Sequence, residues 1–385
     1  TFIQNDEADW RKVQNNNGSV NNQLRRLYRV RTAANQAIGL LREWQPTRTA
    51  LIAEMYFARG FAEVQLASDF CNGLPLSDGT QEEIVFGEPM TIAQVFSVAI
   101  ASFDSAIATV GSATDAASVR VLRAARVGKA RAQLANNQFA AAATTIGGTA
   151  GVPNSFAYQT TSSLATSDNI IWNQGFSARR YTVADSLEGN SRNLLVRNAI
   201  PFYSAQDPRL PVTDTKTVGQ DGGTFVRRTT LYDRLTPIDV VSGLDARLIE
   251  AEAALRSGNV AGWLSTLNAL RTGATRITQL GTVTLSATAL PALADPGAAI
   301  SDSASAYQAR VSLLFREKAF WTFSRGQRLG DLRRLVRQFG RTPDNVFPTG
   351  PHYKTSSYGT DVNFPIHTDE VGNNPNFTGC LDRNA

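Results

Sequence analysis

Leu313, Phe320 and Phe323, followed after one turn by Leu329, Leu332, Leu335 and Val336, recur at three- and four-residue intervals with Arg and Asp set between them. That period is helical, and a helix carrying an apolar stripe must bury it against another element. The pattern returns in paired blocks along the chain. Residues 20–44 (Leu24, Leu27, Val30, Ala34, Ile38, Leu41) predict one helix, broken by Pro46, and residues 47–69 (Ile52, Met55, Phe57, Phe61, Val64, Leu66) predict a second. Thr91 can cap a third helix through Val95, Ile100, Phe103 and Ile107; a fourth covers 118–136, and Asn137 opens a short alanine-rich one. Small residues between Lys129 and Ala142 stand where two helices must approach closely, as in a tetratricopeptide hairpin. The same reading fits residues 242–271, with Gly258-Asn259 at the turn, and 304–339, turning at Gly326. The expected fold class is therefore mainly α, a superhelix of stacked TPR-like hairpins with helical scaffold over 20–147 and 240–340. Trp44, Trp263 and Trp321 fall on helical stripes and are expected in the core.

Residues 148–238 change character. They are rich in Gly, Asn, Ser, Thr and Asp and carry Phe156, Tyr158, Trp172, Phe176, Tyr181, Phe202, Tyr203, Phe225 and Tyr232. A long irregular excursion from a rigid scaffold is usually functional surface, so this stretch is the expected ligand-facing region. Residues 275–303 and the tail, 341–385, also read as loop with occasional short strands.

Composition narrows the chemistry. No apolar run approaches the roughly 18–20 residues that span a bilayer. The net charge of +5 is small for 385 residues, and 33 Arg against 5 Lys are scattered apart from pairs such as Arg179-Arg180, Arg227-Arg228 and Arg333-Arg334. No basic run with interleaved aromatics suggests a phosphate-tracking groove, so no nucleic-acid partner is expected. Only His352 and His367 are present, and no metalloprotease, nucleophile-elbow, dinucleotide or P-loop spacing occurs, so neither catalysis nor a metal or cofactor is expected. Aromatic faces that stack on sugar rings or peptide side chains, flanked by Asn, Asp and Arg, fit binding better. The candidate ligand contacts are Trp10 with Asn15 of the Asn15-Asn16-Asn17 run, then Trp172, Tyr181 and Tyr203.

Several ordered motifs carry a family resemblance. Leu314-Phe315-Arg316-Glu317-Lys318-Ala319-Phe320-Trp321 leads into Arg325-Gly326-Gln327-Arg328-Leu329-Gly330-Asp331-Leu332-Arg333-Arg334, and downstream stand Phe364-Pro365-Ile366-His367 and Asn373-Asn374-Pro375-Asn376. Upstream are Leu27-Tyr28-Arg29-Val30 with Ala34-Asn35, Ala53 to Gly60, Gly73-Leu74-Pro75-Leu76, Asp207-Pro208-Arg209, Ala246 to Ala253, and Leu267-Asn268-Ala269-Leu270-Arg271. In order and spacing these resemble the SusD/RagB family over nearly the whole chain. Ser324 stands where the family usually has Glu before G-x-R, and His367 replaces the second Pro of P-I-P.

The resemblance implies one SusD-like domain over residues 1–385, a non-catalytic surface lipoprotein of the outer membrane. It would capture oligosaccharides or peptides and act as the lid of a TonB-dependent, SusC-like barrel transporter. A lipid anchor and further chain before Thr1 are expected on the same ground. A scaffold recruited for surface assembly or adhesion is the other reading. Arg316, Glu317, Arg328, Asp331 and Arg333 are read as structural, in Arg–carboxylate pairs that fix helix register. In an exported protein the even pair Cys71 and Cys380 favours one disulfide, two buried free thiols being the alternative.

Overall fold

Phe103 explains how the first helices pack. A Cβ added at Gly128 would stand 2.4 Å from its ring, and one at Gly60 2.9 Å, so the ring occupies space that only two glycines leave open. The computed structural model describes residues 3–80, 83–188, 192–272 and 290–385. Its contacts divide the chain into two compact units. One, the amino-terminal unit, comprises 2–156, 333–338 and 360–385; the other, the central unit, comprises 157–332 and 339–359.

In chain order the amino-terminal unit contains α1 (Ile3–Asp9), α2 (Gly18–Trp44), α3 (Thr49–Asp69), the pair β1 (Leu74–Pro75) and β2 (Pro89–Met90), α4 (Ile92–Val110), α5 (Ala116–Ala135), α6 (Phe139–Ile146) and the single turn α7 (Gly148–Gly151). The central unit follows with β3 (Ala157–Thr160), α8 (Ile170–Trp172) running into a π-helical turn (Asn173–Ser177), and β4 (Leu187–Glu188) paired with β5 (Leu194–Leu195). Next come the β6 (Val212–Val218) and β7 (Phe225–Thr229) hairpin, β8 (Ile238–Ser242), which pairs antiparallel with β3, then α9 (Gly243–Arg256), α10 (Val260–Thr272) and α11 (Ser303–Trp321). Helix α12 (Arg328–Phe339) gives residues to both units, and α13 (Thr368–Asn373) belongs to the amino-terminal one. The protein is mainly α, and every described sheet has two strands. Of the expected 275–303 loop, residues 275–289 lie outside the described residues.

The predicted helices form because their ends are satisfied as well as their stripes. Asn17 caps α2 by accepting from the Val20 N–H at 2.9 Å, and Thr91 with Gln94 closes a capping box on α4. Asn137 takes a left-handed φ of 62° between α5 and α6, a conformation Asn tolerates better than most residues. Trp263 and Trp321 are buried, but Trp44 is 73% exposed, a correction to the core expectation. It is the last residue of α2, one turn past Leu40, which is itself exposed on the same face. A second correction concerns apolar length. Ile92–Val110 is long and apolar enough to cross a membrane by composition, yet Val95, Phe96, Ala99, Phe103 and Ala106 are buried where α4 packs on α3 and α5.

The family-like motifs meet as polar locks. In the amino-terminal unit the Tyr28 hydroxyl donates to the Pro75 carbonyl at 2.8 Å, and Arg59 donates to Asn35 Oδ1 at 3.1 Å. The buried Glu63 accepts from Arg31 at 3.1 Å and from the Ser102 hydroxyl at 2.6 Å. Arg333, fully buried, donates from one nitrogen to the carbonyls of Ala67, Ser68 and Phe70, acceptors that the end of α3 would otherwise leave open. Burial pulls its guanidinium down to about 9.

In the central unit Glu317, with no exposed side-chain surface, accepts from Arg209 at 2.6 Å and from Arg271 at 2.9 Å. Asp207 holds the other side of Arg209 at 2.7 Å, so the Asp207-Pro208-Arg209, Leu267–Arg271 and Leu314–Trp321 motifs converge on one carboxylate. Arg325 pairs with Asp245, the residue that closes the capping box of α9. Arg316 differs from its expected ion pairing: its guanidinium lies 5.1 Å from the Phe320 ring centroid, where it acts by stacking. Arg328 is half-buried, and burial lowers it to about 10 against the attraction of Asp331. Cys71 and Cys380 form a disulfide with Cα atoms 6.0 Å apart, in the amino-terminal unit.

Candidate functional site

The exposed rings of the central unit gather at the π-helical turn. Asn169, itself buried, starts it: its Oδ1 accepts from the N–H groups of Ile171 and Trp172, and its Nδ2 donates to the Thr236 carbonyl at 2.7 Å. This ties the short helix to the turn before β8. The chain then widens, with the Ala178 N–H bonding five residues back to the Asn173 carbonyl at 2.8 Å. The wider turn lays Trp172 and Phe176 over one another, with centroids 5.2 Å apart and planes 15° from parallel.

Two arginines flank the stack. The Arg228 guanidinium is 4.2 Å from the Phe176 centroid, and that of Arg234 is 5.9 Å from Trp172. Arg234 is held by Asp168 at 2.6 Å. Phe176 is 47% exposed, whereas Trp172 is half-buried and its inner edge packs on a core of Val183, Leu210, Leu231, Tyr232, Phe320 and Phe323. Trp172 therefore anchors a platform that Phe176 extends into solvent.

A second ring–cation pair comes from the neighbouring residue of β7. Arg227 lies 4.5 Å over the Tyr203 centroid and 3.7 Å from the buried Asp185, which also accepts from the Ser204 hydroxyl at 2.7 Å. Tyr181 is 40% exposed, and its backbone N–H donates to the Gln174 carbonyl at the π turn. The buried Tyr232 is pushed by desolvation to about 12, so it stays a neutral donor, to the Phe323 carbonyl at 3.2 Å. The arrangement offers ring faces for apolar C–H surfaces, guanidinium N–H donors and carboxylate acceptors within one unit.

Trp172, Tyr181 and Tyr203 thus belong to the central unit, and Trp10 and Asn15 to the amino-terminal one. Trp10 is half-buried just after α1, and the exposed Asn15 accepts from the Thr368 N–H through its carbonyl at 3.0 Å. The third residue of that Asn run, Asn17, is taken by helix capping. Phe176, Arg228 and Arg234 were not among the sequence candidates. The spacing Trp172-x-x-x-Phe176 and the Arg227-Arg228 pair are the signals that could have found them.

No protein-family model matches the sequence, and no curated protein does. Solved structures match nearly all of it. A SusD/RagB family protein from Bacteroides thetaiotaomicron VPI-5482 superposes with a TM-score of 0.64 at 14% identity, covering 97% of this chain and 87% of its own. The fold is SusD-like. Surface glycan-binding protein A from Bacteroides uniformis matches this SusD-like chain with a TM-score of 0.58 at 16% identity, over 96% of it and 86% of the relative. NanU of B. fragilis does so at 0.54 and 14%, over 88% and 79%. The motif residues Tyr28, Arg209, Arg271 and Glu317 are engaged in hydrogen bonds and ion pairs within their own units, and the ring stack projects from the irregular stretch between β3 and β8.

Proposed function

We propose that this protein is a non-catalytic surface binder that captures oligosaccharides and hands them to a TonB-dependent barrel transporter, serving as its lid at the outer membrane, where a lipid anchor holds it. The observation that carries the reading is the Trp172–Phe176 stack, pinned to the scaffold by a buried asparagine and presented with flanking guanidinium groups. Such a surface grips a pyranose by ring face and hydroxyl without bringing a general acid and base onto it. Sugar-binding proteins among the structural relatives support the same class of ligand: one is described as a SusD-like carbohydrate binding protein from Bacteroides vulgatus ATCC 8482.

The test is a glycan and peptide array on the purified protein, followed by calorimetry of the best hit. Phe176→Ala is expected to weaken that ligand by about tenfold, roughly 1.4 kcal/mol, with an unchanged melting temperature. Hits confined to peptides, or turnover of the bound glycan, would overturn the reading. Co-purification with a barrel protein tests the lid.

A further inference from the structure

An open cleft lies in the amino-terminal unit, where α4, α5, α6 and α7 border a volume of ≈ 540 Å³, a size that suits one or two sugar rings. Arg126 and Lys129, three residues apart on α5, share its wall with Thr144 and Thr145 of α6 and with Ile107. The Lys129 ammonium is 2.6 Å from Asp104, whose side chain is 50% exposed. Arg126 is half-buried, and among the described residues it makes no hydrogen bond or ion pair. The floor beneath it is a glycine: a Cβ at Gly151 would stand 3.1 Å from an Arg126 terminal nitrogen and 2.1 Å from the Ile146 carbonyl. A half-buried guanidinium with its fork uncommitted, seated on bare backbone in the wall of an open cleft, is a donor set suited to a carboxylate.

The hydroxyls complement it. Thr144 donates to the Ala140 carbonyl at 3.0 Å and Thr145 to Gln133 Oε1 at 2.8 Å, so their protons are committed and their oxygens remain acceptors for a ligand hydroxyl. Ile107 adds an apolar patch for ring C–H groups.

We propose that this cleft is a separate binding site for an acidic sugar, with the carboxylate on Arg126, Lys129 supplying a second positive charge, and hydroxyls donating to Thr144 and Thr145. The site belongs to the amino-terminal unit and the Trp172–Phe176 stack to the central one, and they share no residue.

The probes are sodium glucuronate, glucose and sodium sulfate, titrated into the ¹⁵N-labelled full chain and followed by amide shifts and calorimetry. Glucuronate is expected to shift the amides of Thr144, Thr145 and Gly151, to bind about tenfold or more tightly than glucose or sulfate, and to weaken as salt is raised. Arg126→Gln, which removes no internal partner, should melt like the wild type and lose about tenfold in glucuronate affinity. Phe176→Ala should leave it unchanged, so failure here and failure of the oligosaccharide reading are separable. Equal binding of glucuronate and glucose, sulfate binding as tightly as glucuronate, an unaffected Arg126→Gln, or shifts confined to other residues would each overturn the proposal.

Discussion

Lys318 Nζ lies 2.7 Å from Asp331 Oδ1, across the turn at Gly326 that joins α11 to α12. Its other carboxylate, Glu252 of α9, is 3.0 Å away, and all three residues are buried. A single ammonium thus fastens three helices of the central unit.

Asp331→Ala should therefore act on stability and not on ligand. Lys318 keeps Glu252, so the loss should fall below the about 3–5 kcal/mol of a buried charge left wholly unpaired. A clear drop in melting temperature is expected, with glycan affinity unchanged at temperatures where the variant is folded. Lost affinity with an unchanged melt would show that Asp331 belongs to a binding site.

Gly128→Ala should destabilise the amino-terminal unit. Its methyl would meet the Phe103 ring at 2.4 Å, and overpacking of this kind costs about 1–3 kcal/mol. Phe103→Leu on the Gly128→Ala background should recover part of the loss. A double-mutant cycle in urea reads that coupling, and strict additivity would refute the contact.

The Cys71–Cys380 bond joins residues 309 apart in sequence. A loop that long puts its effect on the unfolded chain near the upper end of the range, about 4–5 kcal/mol. Peptide mapping of the oxidised protein should give one linked peptide that reduction splits, and the double Cys→Ser variant should melt lower than the oxidised wild type.

Burial raises Asp69 and Asp239 to about 6, above the roughly 3.9 of an unfolded aspartate. The folded state therefore holds each proton more tightly than the unfolded one. Their contribution to stability is fully present below about pH 4 and is lost as pH rises through 6. Asp239→Asn should flatten this fall in urea midpoints measured from pH 4 to 7. An identical slope in the variant would show that Asp239 ionises at its ordinary pKa.

The hairpins were legible because each is local: stripe, cap and turn residue sit within a few positions, as with Thr91 and Gln94 on α4 or Asn137 between α5 and α6. The motif residues were legible as an ordered set, but not as a convergence, since nothing in the spacing of Arg209, Arg271 and Glu317 says that one carboxylate serves both arginines. The ring stack was hidden for a different reason. Trp172 and Phe176 have the four-residue spacing of one helix face, but the helical segment that carries them, residues 170–177, is too short to leave a repeating period in a loop-rich stretch. Trp44 failed because a stripe extrapolated to the last turn of a helix reaches beyond its neighbours.

The route of the chain sets an order for its making. The Cys71 N–H is met by the Phe364 carbonyl, the last carbonyls of α3 by Arg333, and the Cys71 sulfur by Cys380. When synthesis has reached residue 156, none of these partners has yet been made. These helices must wait with one end unsealed until residue 380 has been made, so a product stalled before then would keep its hairpins but not the clasp that closes them.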